Sequence, residues 1–371
     1  MKFSCTQEKL NKALSLVAHV ASKNANLPIL QNVLVSANEE GITLLTTNLE
    51  LAVRIRIRGK VEENGMLTVP AQVFANYVSL VTADTVSVNA DELTLHVSAA
   101  GQNTKIKGQN ANDFPLIPEV DTQAPISVMT TDLQQALSQT VFATAKDESR
   151  PELTGVFVQL KGNQMIFAST DSYRLAERHI PCKRDSDDFV STIIPSQALQ
   201  EVLRALGNES EETKIIIQEN QALFTAGDAE VIVSRLIDGR FPDYKQIIPT
   251  EERTTIIVRK DAFIKAIKAS SLFSRSGIHD INIHVSPETQ SLTLTAVNNQ
   301  LGENVTKVQA EITGESNSII FNFRYLLDGL TQIVSDQVSI TLVDNNMPGV
   351  FRPSGGAAEQ QHLYIIMPIK Q

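Results

Sequence analysis

The stretch Gly239-Arg240-Phe241-Pro242-Asp243-Tyr244 matches Asn112-Asp113-Phe114-Pro115-Leu116-Ile117-Pro118 and, more weakly, Ile366-Met367-Pro368-Ile369. The prolines that align in these stretches are 127 and 126 residues apart, about one third of the 371-residue chain. A match repeated at this spacing predicts three copies of one structural unit.

A second, independent marker has the same period. Thr47-Asn48-Leu49-Glu50-Leu51-Ala52 matches Thr170-Asp171-Ser172-Tyr173-Arg174-Leu175-Ala176, and Ala296-Val297-Asn298-Asn299 is a weaker third match. Chance produces one such match more easily than a coherent set, so the two markers together favour a threefold repeat. We predict domains at residues 1–120, 121–249 and 250–371.

Each copy is predicted to contain two helices and antiparallel strands. Apolar residues at helical spacing, such as Leu10, Leu14 and Val17, predict helices. The six predicted helices are 6–26, 71–81, 132–150, 196–206, 259–276 and 322–334. Elsewhere apolar and polar residues alternate, which is typical of antiparallel strands with one solvated face. The fold class is therefore α+β, with two helices packed on sheet in each copy.

The composition excludes several classes of protein. Hydrophobic residues make up 42% and charged residues 20%, which excludes a disordered chain. No apolar run approaches the ~18 residues that span a bilayer, and no secretory signal is recognisable. Only Cys5 and Cys182 are present, which excludes a disulfide framework and favours the reducing cytoplasm.

The charge balance alone argues against a DNA-binding protein. There are 32 Lys and Arg against 42 Asp and Glu, a formal net charge of −10. The charges are unevenly spread, however, because the six predicted helices are together net basic. Most of that positive charge comes from Lys9, Lys12, Lys23, Lys260, Lys265, Lys268 and Arg275. A helix-lined basic surface inside an acidic protein would attract DNA phosphates weakly.

The sequence offers little support for catalysis. It contains no nucleophile elbow, zinc-protease motif, P-loop or dinucleotide-binding motif. His279 and His284 alternate with strand residues and have no Cys or carboxylate nearby in sequence, so surface histidines are favoured over a metal site. For Cys182, an inert thiol is favoured over a reactive one.

One strand carries three arginines at alternate positions, Arg54, Arg56 and Arg58. Alternation places the three guanidinium groups on one face of the strand. A charged strand face that keeps an edge soluble is the favoured interpretation. A patch that binds phosphate or a partner is the alternative.

Five stretches, spread in order over the whole chain, carry a family resemblance: Met1-Lys2-Phe3, Leu27-Pro28-Ile29-Leu30, Thr170-Asp171-Ser172-Tyr173-Arg174-Leu175, Asp238-Gly239-Arg240-Phe241-Pro242-Asp243-Tyr244 and Met367-Pro368. They resemble the bacterial sliding clamp, the beta subunit of DNA polymerase III. The resemblance implies three DNA-clamp domains in a head-to-tail homodimeric ring around duplex DNA, with helices lining the hole. It implies a processivity factor of DNA replication that is not itself an enzyme and needs no cofactor or metal.

The resemblance also implies the partners of the chain. They are sequence-independent duplex DNA, a second copy of the chain, the replicative polymerase alpha subunit and an ATP-driven clamp loader. Other polymerases and repair proteins that carry clamp-binding peptides are expected as well, and no membrane.

Simple geometry also favours two chains in the ring. Six helices side by side, each about 10 Å wide, would leave almost no hole, whereas twelve would leave a hole of about 27 Å. Because threading would hold the DNA, weak and water-mediated attraction to phosphates is sufficient.

The resemblance implies a hydrophobic cleft that binds short peptides of partner proteins. The residues at matching positions are Leu153, Thr170, Ser172, Tyr173, Arg174, Leu175, Pro242, Ile247, Ile365, Ile366, Met367 and Pro368. Leu, Ile, Pro and Met side chains suit an apolar pocket for peptide side chains.

Residue matching also suggests the DNA-facing and dimer-interface positions. The DNA-facing candidates are Lys9, Lys12, Lys23, Asn24, Gln72, Lys146, Arg150, Lys265 and Lys268. Thr104 and Ile106 in the first domain are expected to meet Leu272 and Phe273 in the third domain of a second chain. Because Thr104 is polar, we expect a weaker dimer than is usual for the family.

Two other functions stay open at this point. The chain could be a monomeric peptide-binding scaffold that uses the same cleft without encircling DNA. It could also be an enzyme, such as a hydrolase, whose site the motifs do not reveal.

Overall fold

The computed structural model describes residues 1–21, 27–117, 119–120, 124–184, 191–207, 211–233, 235–355 and 361–370. These residues form six α-helices and 25 β-strands. The strands pair antiparallel in each of the three sheets.

The elements follow one another in three similar series. The first is β1 (Lys2–Thr6), α1 (Gln7–Val20), β2 (Asn32–Asn38), β3 (Gly41–Thr47), β4 (Leu51–Ile57), β5 (Lys60–Glu63), β6 (Gly65–Pro70), α2 (Ala71–Leu80), β7 (Thr85–Asp91), β8 (Thr94–Ala99) and β9 (Gln102–Lys107). The second is β10 (Ile126–Met129), α3 (Thr130–Thr140), β11 (Gly155–Lys161), β12 (Gln164–Thr170), β13 (Arg174–Pro181), β14 (Ser191–Pro195), α4 (Ser196–Ala205), β15 (Glu212–Ile217), β16 (Ala222–Ala226) and β17 (Ala229–Val233). The third is β18 (Thr254–Arg259), α5 (Lys260–Ser271), β19 (Asp280–Ser286), β20 (Ser291–Asn298), β21 (Gly302–Gly314), β22 (Asn317–Asn322), α6 (Phe323–Gln332), β23 (Gln337–Leu342), β24 (Gly349–Pro353) and β25 (His362–Ile366).

Each series contains the same motif twice, a strand, a helix and three strands. In the third series, for example, the two motifs are β18-α5-β19-β20-β21 and β22-α6-β23-β24-β25. The first series differs only by the additional short strand β5. The predicted α+β class, with two helices and antiparallel sheet in each of three copies, is confirmed.

The sequence marker of the repeat is a turn with the same hydrogen bonds in every copy. The side-chain oxygen of Asn48 accepts hydrogen bonds from the N–H groups two and three residues later, and so do those of Asp171 and Asn298. Short Asn and Asp side chains favour such turns because they can reach their own backbone. These bonds align Asn298 with Asp171. The prediction aligned Ala296 with Thr170, which would align Val297 with Asp171, so it differs by one residue.

Three helices end earlier than predicted. The expected helix 132–150 is α3, which stops at Thr140 and continues only as the 3₁₀ turn Val141–Ala143. The β-branched pair at 140–141 weakens the helix, and the Asp147 carboxylate accepts a hydrogen bond from the Ser149 N–H, which favours a turn instead. Helix α5 likewise ends at Ser271 rather than at 276. Helix α1 ends at Val20, with Ala21 already outside it, and residues 22–26 of the first predicted helix lie outside the described residues.

Contacts between Cα atoms divide the chain into two compact units. Unit 1 contains Met1–Gln134, Cys182–Asp188 and Gln197–Leu236, and unit 2 contains Gln135–Pro181, Phe189–Ser196 and Ile237–Gln371. Unit 1 holds a five-stranded sheet, β5-β1-β7-β8-β9, and an eight-stranded sheet, β10-β15-β16-β17-β4-β3-β2-β6. Unit 2 holds one twelve-stranded sheet, β14-β11-β12-β13-β25-β24-β23-β18-β21-β20-β19-β22. Two of these sheets therefore combine strands of different copies.

Candidate functional site

Most of the predicted cleft residues lie in, or pair with, the turn between β12 and β13, in unit 2. Thr170 Oγ1 accepts a hydrogen bond from the Ser172 N–H (3.1 Å) and donates one to the Arg174 carbonyl (2.6 Å). Ser172 has a φ of 77°, a left-handed conformation that is uncommon for a residue other than glycine. The turn leaves the side chain of Tyr173 63% exposed.

Strand β25 brings the C-terminal residues to this turn. In its pairing with β13, Ile366 lies opposite Arg174 and Ile365 lies opposite Leu175. The pairing continues past the strand, since the Met367 N–H donates a hydrogen bond to the Tyr173 carbonyl (2.9 Å). The tail segment after Ile366 is therefore attached to the turn by its backbone.

Half of the predicted cleft residues are buried and form a floor. Leu153, Leu175 and Ile365 belong to one apolar cluster with Phe241 and Tyr244. The buried half comprises Leu153, Thr170, Arg174, Leu175, Ile365 and Ile366, each no more than 7% exposed. Such residues shape and stabilise the surface above them, but they offer little area to a ligand.

The other half is partly or fully accessible to solvent. Tyr173 is 63% and Ile247 41% exposed, and Ser172 is also exposed. Pro242, Met367 and Pro368 are partly buried. The structure thus separates a buried floor from an accessible rim, a division that residue types alone do not indicate.

Arg174 links the floor to helix α6 through contacts that the sequence did not suggest. Its guanidinium donates to the carboxylates of Asp171 (3.0 Å) and Asp328 (2.5 Å) and to the Phe142 carbonyl (3.0 Å). It also lies 4.7 Å from the ring centroid of Tyr325. A buried guanidinium is stable only when carboxylates and acceptors satisfy it, and this network holds the turn in place.

A second buried polar group lies under the cleft. The Tyr244 hydroxyl donates a short hydrogen bond to Glu177, and His179 Nε2 lies 2.9 Å from the same carboxylate. Burial alone would raise the pKa of Glu177, but the bonds from His179 and Tyr244 outweigh burial and lower it. The carboxylate therefore stays ionised and fixes Tyr244 in the floor.

The predicted DNA-facing residues occupy different settings. Lys9 and Lys12 on α1, and Lys265 and Lys268 on α5, are exposed. Gln72 donates from its side-chain amide to the Ala18 carbonyl (2.7 Å), so it joins α2 to α1. Lys23 and Asn24 lie outside the described residues.

The early end of α3 changes the setting of two further DNA candidates. Lys146 and Arg150 were expected on the helix but lie in the exposed loop after it. Arg150 forms an ion pair with Glu152 (3.1 Å) and donates to the Ser172 hydroxyl (3.2 Å). Arg150 therefore lies beside the cleft turn, where sequence matching did not place it.

Of the predicted dimer-interface residues, Leu272 is 71% exposed. Phe273 is partly buried and lies 4.0 Å from the position that a Cβ on Gly302 would occupy. Thr104 is partly buried, but Ile106 is only 4% exposed because its side chain faces the core opposite Leu95 of β8. A partner chain can therefore reach the backbone edge at Ile106 rather than its side chain.

In the part of the chain that the structure describes, no group of three or more His, Cys, Asp and Glu side chains is arranged to hold a metal ion. None of its helices combines the length and the apolar character needed to cross a membrane.

A thrice-repeated two-helix α+β unit, with sheets that continue from one copy to the next, defines a clamp-type fold. Models of the N-terminal, central and C-terminal domains of the DNA polymerase III beta subunit match residues 1–118, 127–243 and 245–370. The beta sliding clamp of Synechococcus elongatus is 30% identical over all of the chain and 99% of its own length. That of Bacillus subtilis is 26% identical over the full length of both.

Solved structures agree with the family models. The Bacillus subtilis sliding clamp has a TM-score of 0.93 at 25% identity, covering all of this chain and 99% of its own. A Pseudomonas aeruginosa sliding clamp bound to griselimycin has a TM-score of 0.94 at 27% identity over the full length of both. The chain belongs to the DNA polymerase III beta subunit family, the beta sliding clamps, which are non-catalytic processivity factors rather than enzymes.

Proposed function

We propose that this chain forms a head-to-tail homodimeric ring that encircles duplex DNA and tethers the replicative polymerase alpha subunit through the cleft described above. An ATP-driven clamp loader would open and close the ring, and other polymerases and repair proteins would dock through the same cleft. Replication on the bacterial chromosome implies the cytoplasm as the site of action. The domain boundaries that we propose are 1–120, 121–249 and 250–371.

The observation that carries the proposal is a pairing rule within the chain. The second and third copies each pair the last strand of their second motif with the last strand of the first motif in the preceding copy. Thus β17 pairs with β4 within unit 1, and β25 pairs with β13 within unit 2. Two strands in the equivalent positions, β9 and β21, are left without such a partner among the described residues. Pairing β9 of one chain with β21 of a second chain satisfies the rule and closes a ring.

The rule also predicts the register of this seam. Within the chain, Val233 lies opposite Leu51 and Ile366 lies opposite Arg174. In the hairpin of β8 and β9, the residue equivalent to Val233 and Ile366 is Ile106. In the hairpin of β20 and β21, the residue equivalent to Leu51 and Arg174 is Gly302. In this register Lys105 lies opposite Glu303 of the second chain, and both side chains are exposed in the single chain. Phe273 beside Gly302 then lies at the seam, as expected for a dimer-interface residue.

The register is tested by charge reversal. Lys105→Glu or Glu303→Lys places like charges opposite each other at both seams of a ring, and a cross-strand pair contributes about 0.2–1 kcal/mol. We expect each single variant to weaken the dimer roughly 10- to 100-fold in sedimentation velocity, and the double variant to recover most of the loss. Lys214→Glu, an exposed lysine of β15, is the control. Equal effects of Lys105→Glu and Lys214→Glu would contradict the register.

The ring itself is tested by comparing retention on circular and on linear DNA. After loading, the parent protein should stay on circular DNA and leave linear DNA from its ends. Equal retention on both would defeat the encircling function. A monomer at micromolar concentration would favour the monomeric peptide-binding scaffold, which the polar character of Thr104, Lys105 and Glu303 keeps as the second candidate.

The cleft is tested by removing Met367–Gln371. This deletion removes the accessible rim residues Met367 and Pro368 and, among the residues that the structure describes, two backbone hydrogen bonds, from Met367 to Tyr173 and from Ile369 to Ile320. At about 1 kcal/mol each, their loss should leave the fold intact. We expect binding of a polymerase tail peptide, followed by fluorescence anisotropy, to be abolished. Deletion of Lys370 and Gln371 alone is the control, and undiminished affinity in the longer deletion would contradict the cleft assignment.

A further inference from the structure

A cavity lies in unit 1, where the first and second copies meet. Its volume is about 380 Å³. The first copy contributes α1 and the end of β4, and the second copy contributes the end of α4 and the turn between β16 and β17. The residues that line it are Lys9, Lys12, Ala13, Leu16, Ile55, Arg56, Ile57, Arg58, Ala205, Gly207, Ala226, Gly227, Asp228 and Ala229. A ligand in this cavity would therefore contact both copies.

The side chains that face the cavity are mainly apolar. On β4 these are Ile55 and Ile57, which are buried. Arg56 and Arg58 alternate with the two isoleucines, so their exposed side chains lie on the other face of the strand. The other apolar residues of the lining are Ala13, Leu16, Ala205, Ala226 and Ala229. The cavity can thus bury the apolar body of a ligand.

The second junction, in unit 2, explains why the first one has space. At matching points of the strand pairing, Ile55 lies opposite Ala229 in the first junction, and Arg178 lies opposite His362 in the second. Arg178 and His362 are 5% and 1% exposed, and Arg178 donates a hydrogen bond to Gln135 of α3 (3.1 Å). These larger side chains fill a volume that Ile55 and Ala229 leave open. The cavity therefore results from residues that differ between the two junctions.

Two cationic side chains border the cavity on α1. Lys9 and Lys12 are exposed, and because they are three residues apart they lie on the same face of the helix. Lys9 belongs to the first turn of α1, where the helix dipole adds positive potential. Asp228, in the exposed turn between β16 and β17, is the single acidic residue of the lining. The cavity thus combines an apolar interior with a positively charged edge.

We propose that this cavity binds a small organic carboxylate, with its apolar body between α1 and β4 and its carboxylate group beside Lys9 and Lys12. A cavity of about 150 Å³ holds benzene, so a volume of about 380 Å³ has room for a fused ring system or an acyl chain. It also falls within the range of sites for small organic ligands, which begins at about 300 Å³. Because the bound ligand contacts both copies, it would stabilise the first junction. The site lies within one chain and depends neither on DNA nor on a ring.

The probe for this site is naphthoate, whose fused rings suit the volume of the cavity. Its fluorescence can be read without interference from Trp, because the chain contains none. Naphthamide has the same rings without the charge and is the control ligand. We expect one naphthoate per chain, with saturation below about 1 mM, and binding of naphthamide roughly 3- to 10-fold weaker. Absence of saturable naphthoate binding, or equal binding of the two ligands, would overturn the proposal.

Charge variants test the position of the carboxylate group. Lys9→Gln/Lys12→Gln changes two exposed residues and should remove most of the preference for naphthoate over naphthamide, with naphthoate binding weakened by the same factor. Lys265→Gln/Lys268→Gln removes the same charge from two exposed, equally spaced lysines of α5 and is the control. Equal effects of the two double variants would overturn the proposal.

A filled cavity tests the position of the apolar body. Ile55→Arg/Ala229→His gives the first junction the residues of the second and should abolish naphthoate binding. Circular dichroism establishes that the variant is folded, and Ala229→Leu, which fills the cavity with an apolar side chain, replaces it if it is not. Naphthoate should raise the melting temperature of the parent protein and leave that of the folded, filled variant unchanged. Undiminished binding by that variant would overturn the proposal.

Discussion

His362 should make the stability of the protein depend on pH. It is the first residue of β25, lies opposite Arg178 in β13 and is 1% exposed. Neither of its ring nitrogens has a hydrogen-bond partner among the described residues. Burial, together with the nearby positive charge of Arg178, lowers the pKa of His362 from 6.5 to about 3. At the equivalent position of the first junction the chain has Ala229, opposite Ile55.

The sign and size of the effect follow from this pKa. Between pH 6.5 and 3 the unfolded chain binds a proton at His362 that the folded chain does not bind. The free energy of unfolding therefore has its full value above pH 6.5 and falls by about 1.4 kcal/mol for each pH unit below it. At pH 5 the loss from this residue alone is about 2 kcal/mol.

Urea unfolding followed by circular dichroism, at constant ionic strength from pH 8 to 5, measures this loss. Other groups also titrate, so the useful quantity is the difference between the parent and His362→Gln. The free energy of unfolding of the parent minus that of the variant should fall by about 2 kcal/mol as the pH falls from 8 to 5, whatever its value at pH 8. Parallel curves for the two proteins would refute a buried, neutral His362.

The remaining predictions concern other buried groups. Arg174→Ala should lower the free energy of unfolding by about 3 kcal/mol, because it removes a buried side chain together with its bonds to Asp171, Asp328 and the Phe142 carbonyl; a loss below 1 kcal/mol in urea would contradict the network. In Gly329→Ala, the new Cβ would lie 2.0 Å from a ring carbon of buried Tyr364, so we expect the free energy of unfolding to fall by about 2 kcal/mol or more. Thr331→Ala on the same helix is the control, and equal melting temperatures of the two variants would contradict this expectation. Burial raises the pKa of Cys5 to about 11 and also raises that of Cys182, so neither should react with a thiol reagent at pH 8 until urea is added.

The elements of the fold were largely predictable from residue patterns. The apolar periodicity of α1 identified its buried face, Leu10, Leu14 and Val17, because helix geometry repeats on a local scale. The repeat markers were recognisable because each copy needs the same short polar side chain, Asn48, Asp171 or Asn298, to close its turn. The error at α3 arose where helix and turn tendencies compete within a few residues, at Thr140 and after it.

For the candidate site, the sequence by itself determined the residue types and the family resemblance, since these depend on local patterns and on order along the chain. Tertiary structure alone decided which cleft residues are accessible, because Leu175 and Tyr173 are near neighbours in sequence but lie in the floor and on the rim. It also supplied Asp328 as the partner of Arg174, 154 residues away. Strand register and side-chain burial depend on segments that are distant in the chain, and no local pattern contains that information.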